Sequence, residues 1–321
     1  MGIAGGIYYN SSSTSIVKSA VAKPDIALPA VAEEVKTAFS PKEFRGFKVN
    51  IIDYEYICAV SMDWLLIISL LQLKEVQPIN HNTSLFRFEL PEDSTAGLHV
   101  ASCVITRYPI TKKDGSPGYI IRPYTPTSDD TAKGYVDFVI KKYPDGKMSK
   151  HIHELKVGDE LDIKGPIPKL NWEENKFKHV GLIAGGTGIT PMLQIIRKVL
   201  NHSDGRDKTK ITLVFANQTE EDILLREELD DYVKKHPDQF KIYYLLDRPA
   251  EKWAGGKGFV TDKIVKEFMP GPNEPDTLVA VCGPDKMVEL ISGSKAKDKS
   301  QGEIGGILKE LGYTSDHVYK F

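Results

Sequence analysis

Gly185, Gly186, Thr187 and Gly188 stand together in GLIAGGTGITPM, after an apolar run and before a helical one. Glycines at such a place let the backbone close on a ligand, and a helix start favours an anion such as a pyrophosphate. The spacing departs from the strict G-x-G-x-x-G pattern, so alone it also fits a tight strand-to-helix turn without a ligand. RPYTPTS offers Arg122 as a partner for phosphate, Tyr124 and Thr125 as hydroxyls, and Ser128 at its close. In isolation that heptapeptide reads better as a proline-flanked turn with an incidental Arg. DGKMS brings Gly146, Lys147, Met148 and Ser149 to a helix start, a second anion cradle or an ordinary turn and cap. CGPDKM holds Cys282, Gly283, Pro284 and Met287. No base stands near Cys282 in sequence, which argues for packing over nucleophilic chemistry. His151 and His153 alternate on the presumed helix without a third ligand, so no metal is expected.

Such residues need elements to hold them. LKEVQPINHN, SLFRFELP, HVASCVITRY, GYVDFVIKKY and DELDIKGPI alternate apolar and polar residues between Pro, Gly and Asn, which predicts a small antiparallel barrel. One helix, near Ser149–Leu155, interrupts it. From HVGLIAG onward the texture changes to apolar strands alternating with helical runs. PMLQIIRKVL has Pro191 at the first helical position and Thr190 as cap, and EEDILLREELDDYVKKH reads as one helix. That order predicts a parallel, doubly wound sheet. The domain reading is therefore a linker over 1–43, a barrel over 44–172 and a nucleotide-type domain over 178–321.

The net charge of −2 removes general nucleic-acid binding, which needs a basic excess. Three widely spaced cysteines build neither a zinc site nor a disulfide framework. MGIAGGIYY is far below the ~20 apolar residues of a membrane span. No secretory signal is visible, and Gly6 stands where a myristoylation pattern needs Ser or Thr.

Taken together and in this order, RPYTPTS, GKMS, GGTGITP and CGPDKM resemble the ferredoxin-reductase-like flavoproteins, and within them the NADH-cytochrome b5 reductase family. The resemblance runs from Leu73 to Phe321, and QGEIGGILKELGYTSDHVYKF is similar to the fungal mitochondrial branch. It implies an FAD-binding barrel followed by a Rossmann-like NADH domain, with FAD and NADH as cofactors and a cytochrome b5-like haem protein as acceptor. Arg122 would hold the FAD pyrophosphate, Tyr124 and Thr125 the ribityl–flavin region, and Val139 and Lys141 the isoalloxazine edge. Gly146, Lys147, Met148 and Ser149 would complete the phosphate cradle, and Thr190 would touch flavin from the other domain. Thr125, Lys141 and Cys282 fall at the reacting end, with Cys282 packing to position the nicotinamide and Gly283, Pro284 and Met287 beside it. His81 either lies near flavin or is a surface or core histidine. Lys141 and Lys147 would steer an acidic acceptor. One departure is the short chain between VIK and GKMS. Glu220, Glu221 and Asp222 fall where the adenosine ribose belongs, with no Arg or Lys in that loop for a 2′-phosphate, so NADH is expected over NADPH. The resemblance also implies a mitochondrial protein, at the outer membrane or in the intermembrane space, with its membrane segment upstream of GIAGGIYY.

YICAVSMDWLLIISLL fits none of this. As a membrane helix it would carry Asp63 near its centre at about 2.5–3.5 kcal/mol. Removing Val49–Gln72 joins EFRGFK to LKEVQPINHN in frame, and its end codons admit GT and AG. The reading is a retained intron, expected as a loop or stray helix extruded from the barrel. The competing functional reading is a flavin- or nucleotide-binding module whose turnover this insertion impairs.

Overall fold

Period-two alternation in the first half and continuous apolar strands in the second give two sheets of different kind. The computed structural model describes residues 69–201 and 203–321. Its first half holds β1 (Ser69–Asn80), β2 (Thr83–Glu89), β3 (Ser102–Thr111), β4 (Pro117–Tyr124), β5 (Tyr135–Lys141), α1 (Lys147–Glu154) and β6 (Glu160–Pro168). The strands form one six-stranded antiparallel sheet in the order β4-β3-β6-β1-β2-β5. Its edge strands meet around a shared core: Ile120 and Tyr124 of β4 pack on the cluster that contains Phe138 and Ile140 of β5. Thr127 fastens this closure, its amide donating to the Asp137 carbonyl at 2.8 Å. The expected barrel is therefore present, with its helix two residues earlier than expected.

The second half runs β7 (His179–Gly185), α2 (Ile189–Leu200), β8 (Lys210–Asn217), α3 (Arg226–Lys235), β9 (Phe240–Leu246), β10 (Gly256–Lys257), α4 (Asp262–Phe268), β11 (Thr277–Cys282), α5 (Asp285–Ser292), α6 (Gly306–Glu310) and β12 (Val318–Lys320). All pairs are parallel, in the order β10-β9-β8-β7-β11-β12. One face packs on α2 and reaches into the barrel through Ala101 and Val139. The other covers α4, α5 and α6.

Three sequence expectations change. α2 starts at Ile189 with Gly188 as its cap, because Gly186–Gly188 already winds a 3-10 turn, so Thr190 is helical and not the cap. The run from Glu220 is not one helix. A short 3-10 turn over Glu220–Asp222 is followed by Leu225 at φ 58°, and α3 begins only afterwards. Burial explains the break, since Ile223 and Leu224 both belong to the core under α2. Third, Ser69–Gln72 is not extruded. It pairs with β6 from Ser69↔Ile163 to Gln72↔Glu160, and Leu71 is 2% exposed in the barrel core. The rest of the supposed insertion, 49–68, and the linker over 1–43 lie outside the described residues.

Candidate active site

Growth of the parallel sheet reverses between β7 and β11, and such a switch point leaves a crevice at the carboxyl ends of the strands. Two turns line it. Gly185–Gly188 leaves β7, and Cys282–Gly283 leaves β11, which pairs with β7 up to Cys282↔Ala184. The turns are pressed together: a Cβ on Gly188 would stand 2.2 Å from the Cys282 carbonyl oxygen. One on Gly185 would meet Met287 Sδ at 2.4 Å and Pro284 at 3.0 Å. Gly283 in turn faces Met287 Sδ, at 2.9 Å from its own notional Cβ. Gly186 is different. Its φ is +52° and nothing lies within 4 Å of the Cβ position, so its freedom serves an open side of the turn. Thr190 steadies the turn by donating its hydroxyl to the Thr187 carbonyl at 3.1 Å.

The barrel contributes the facing wall. Arg122 is exposed, and Nη1 donates to the Ile121 carbonyl at 2.7 Å, leaving the rest of the guanidinium for an anion. Tyr124 is half-buried against the core of Met148 and Ile152. Burial pushes its hydroxyl up to about 12, so it remains a neutral donor. Thr125 follows it, half-buried, just beyond the strand. Ser128 instead ties its loop down, its hydroxyl accepting from the Asp137 amide at 3.2 Å.

At the start of α1, Gly146 is the cap and Met148 is buried, while Lys147 stays exposed. Ser149 donates its hydroxyl to the Gly146 carbonyl at 3.1 Å and accepts from the Tyr143 amide at 3.2 Å. The Ser149 side chain therefore builds the turn, and the first helical amides are what remains for a phosphate. A bridge crosses the crevice where Tyr143 Oη and Thr187 Oγ1 lie 3.2 Å apart. Arg122, the α1 start and the open Gly186 turn together suit a dinucleotide flavin with a second nucleotide opposite.

Several candidates take other parts than expected. Val139 is 4% exposed and fills the core shared with α2 instead of presenting a free edge. Lys141 is not available to steer an acceptor, because its Nζ lies 3.3 Å from Asp222 Oδ1 with both side chains largely buried. Lys142, just past β5, and Lys147 and Lys150, in α1, are exposed. Asp222 is spent too, its Oδ2 accepting from the Thr219 amide at 3.1 Å and hydroxyl at 2.9 Å. Burial pushes its carboxyl up, but the Thr219 hydroxyl and Lys141 outweigh it and hold the group below the usual carboxylate range. The cation missing from the sequence reading of this loop is Arg226, which reaches back from α3 to Glu220 at 2.5 Å. It also lies 5.7 Å from the rings of Tyr244 and Trp253.

Cys282 is half-buried, and burial pushes its thiol up to about 12, which keeps it protonated and fits a packing role. His81 is exposed and next to Asn82 at 2.8 Å. His151 stacks on Tyr108 with ring centres 4.0 Å apart, and His153 Nε2 lies 2.9 Å from the Ile140 carbonyl.

Sequence reasoning missed the side chains that join the halves. Gln194 accepts from the Ser102 amide at 2.8 Å and donates to the Pro126 carbonyl at 3.1 Å. Arg197 donates to the Thr127 carbonyl at 2.6 Å and holds Glu228 through two nitrogens. Their only sequence signal is polarity on an otherwise apolar helix.

The oxidoreductase FAD-binding domain family matches residues 70–172, and the oxidoreductase NAD-binding domain family matches residues 182–293. NADH-cytochrome b5 reductase 2 of Emericella nidulans is 50% identical over 252 residues, 78% of this chain and 77% of that protein. Its namesake in Pyricularia oryzae is 51% identical over 78% of this chain and 75% of its own length. Among solved structures, the cytochrome b5 reductase domain of Ulva prolifera nitrate reductase superposes with a TM-score of 0.69 at 29% identity. That match covers 89% of this chain and 99% of the domain. The CS-b5R domains of human Ncb5or give 0.63 at 25% identity, over 81% of this chain and 70% of that one.

Proposed function

The chain belongs to the NADH-cytochrome b5 reductase family, and from that premise we propose that it moves a hydride from NADH to bound FAD and releases the electrons singly to a haem protein. The observation that carries this reading is the crevice itself. Its two glycine turns fit each other so closely that only Gly186 is left open, opposite a barrel wall with an exposed arginine, of which one nitrogen is bonded to its own strand, and a helix start.

FAD, when bound, supplies the change from a two-electron donor to a one-electron acceptor. The chain supplies placement. Arg122 and the amides at the start of α1 are set to hold the flavin diphosphate, and Tyr124 is a neutral donor beside it. The packed Gly188 and Cys282 backbones fix the depth at which the nicotinamide can enter. Gln194 and Arg197, donating to the Pro126 and Thr127 carbonyls, hold α2 against the barrel and keep both binding walls in one register.

The acceptor we assign is a cytochrome b5-like protein, whose acidic surface would meet the exposed Lys142, Lys147 and Lys150. We place the enzyme in the mitochondrion, at the outer membrane or in the intermembrane space, on the resemblance of Gln301–Phe321 to the fungal mitochondrial branch. No helix among the described residues is long and apolar enough to cross a membrane. Fractionation of cells producing the protein tests that placement, and a cytosolic pool alone would refute it.

The reading of a binding module without turnover loses much of its premise, since Ser69–Gln72 completes the ladder with β6 instead of disrupting it. Purified protein should be yellow, reduce ferricyanide with NADH, and favour NADH over NADPH in kcat/KM. Colourless protein, or equal use of both nucleotides, would count against the assignment of the crevice.

A further inference from the structure

Lys320 is the last residue of β12 and is 2% exposed. Tyr319 and Phe321 pack on the core under α2, while Val318 belongs to the face covered by α5 and α6. The pleat sends Lys320 to the same side as Val318, where an apolar residue would be the ordinary choice. Burial holds its pKa below the usual lysine value, and among the described residues no carboxylate pairs with it. Its partners are three main-chain carbonyls, of Glu303 at 2.8 Å, Ser294 at 3.2 Å and Ser292 at 3.5 Å. A charge kept buried on that footing calls for a specific explanation.

Glycines gather these carbonyls. Gly293, Gly302 and Gly306 have φ of 79°, 65° and 56°. The loop between α5 and α6 closes so tightly that a Cβ on Gly302 would stand 2.9 Å from the Ser294 oxygen. Ser292 ends α5, so the ammonium also lies at the negative end of that helix. The Lys320 peptide is gripped too. Gln301 accepts from its amide at 2.7 Å and donates to its carbonyl at 3.0 Å, and Lys295 Nζ donates to the same carbonyl at 2.9 Å.

What this fastening holds lies at the crevice. Lys320 stands opposite Val281 in the parallel ladder, and the Phe321 amide donates to the Val281 carbonyl at 3.0 Å. Cys282 is the next residue, and Gly283 and Pro284 lead from it straight into α5. Pro284 and Met287 are the side chains pressed against Gly185. The turn is thus held by β11 before it and by α5 behind it, and Lys320 joins the two.

We propose that Lys320 is a positioning residue: its ammonium ties the far end of α5 to β12 and so sets how closely the turn of Cys282, Gly283 and Pro284 sits against Gly188. The proposal rests on the reductase reading and extends it to a buried residue outside the crevice.

The test compares FAD-loaded wild type with Lys320→Met in two assays. Titration with NAD+, followed in the flavin spectrum, should show about tenfold weaker binding by the variant. Iodoacetamide without nucleotide, read by peptide mass mapping, should alkylate Cys282 about tenfold faster in the variant, while buried Cys103 stays protected. FAD retention should not change, because the barrel is untouched. Gln301→Ala keeps the ammonium and frees only the strand's peptide, so it should move both readouts the same way by less. It decides the matter if Lys320→Met does not fold. A folded variant unchanged in either readout, whatever its melting temperature, makes Lys320 a structural clamp and overturns the proposal. A wild type that binds no NAD+ at all would instead sink the reductase reading, and the alkylation assay would still judge Lys320.

Discussion

The two helix starts that face each other across the crevice use glycine for opposite reasons. At α1, Gly146 is hemmed in, since a Cβ there would stand 2.3 Å from Ser149 Oγ and 2.9 Å from Tyr143 Cβ. At α2 the turn divides the work: Gly188 is shut against Cys282, while Gly186 opens on empty space at positive φ. The same residue type thus marks internal closure in one place and access in another. Only the surroundings, not the motif, tell which glycine belongs to the ligand.

That contrast is easiest to break at Gly188. Gly188→Ala forces the β7 and β11 turns apart and should cost about 3 kcal/mol of stability, near the upper end for overpacking, with loss of NADH affinity. Gly186→Ala meets no atom and should cost only the left-handed backbone, about 1–2 kcal/mol. Denaturant titration of both variants makes the comparison, and equal losses would mean the two glycines are not different in kind.

Arg122→Ala probes the barrel side. FAD retention should weaken by roughly 1.5–3 kcal/mol, the scale of a charge-assisted hydrogen bond. Fluorescence of released flavin measures it, and unchanged retention removes Arg122 from the site.

A comparable effect should come from Asp222→Asn, which keeps a capping side chain but loses the charged hydrogen bond to Lys141, at about 1.5–3 kcal/mol. Because the folded carboxyl is held below its ordinary value, its contribution is present above the unfolded carboxylate pKa and lost as pH falls through the folded one. The wild type should therefore lose more stability than the Asn variant on acidification below about pH 4. Parallel acid profiles would show that Lys141 and Asp222 do not couple the halves.

The smallest change is expected from the largest edit. Deleting Val49–Gln72 puts Arg45-Gly46-Phe47-Lys48 directly before Leu73. Phe47 then takes the buried place of Leu71 and Lys48 the exposed place of Gln72, so the alternation of β1 continues in phase. We expect FAD content and NADH–ferricyanide activity within about twofold of the full chain, or about 0.4 kcal/mol. A colourless or inactive deletion would make the segment a genuine part of the barrel, and transcript sequencing separately decides whether it is a retained intron.

How far the sequence carried depends on the range of the interaction. The two sheets and the glycine turns follow from periodicity and local spacing, which adjacent residues encode. The break at Leu225 does not, because it is set by burial of Ile223 and Leu224 in a core built from distant strands. Nor do the commitments of Asp222 and Lys141, which lie 81 residues apart. The short β10 and β12 owe their form to the sheet edges they extend, not to any strand signal of their own. Ser69–Gln72 was misassigned for the same reason: an apolar run without alternation does not reveal which ladder will accept it.

One side of α2 grips the barrel through Gln194 and Arg197 while its other contacts belong to the parallel sheet. A helix fastened on both sides behaves as a common beam. The donor and acceptor walls then need no hinge movement to meet in each cycle, and the consequence is one of timing. Stopped-flow reduction of the flavin by NADH should therefore outrun steady-state turnover, leaving the pace to arrivals and departures of nucleotide and acceptor.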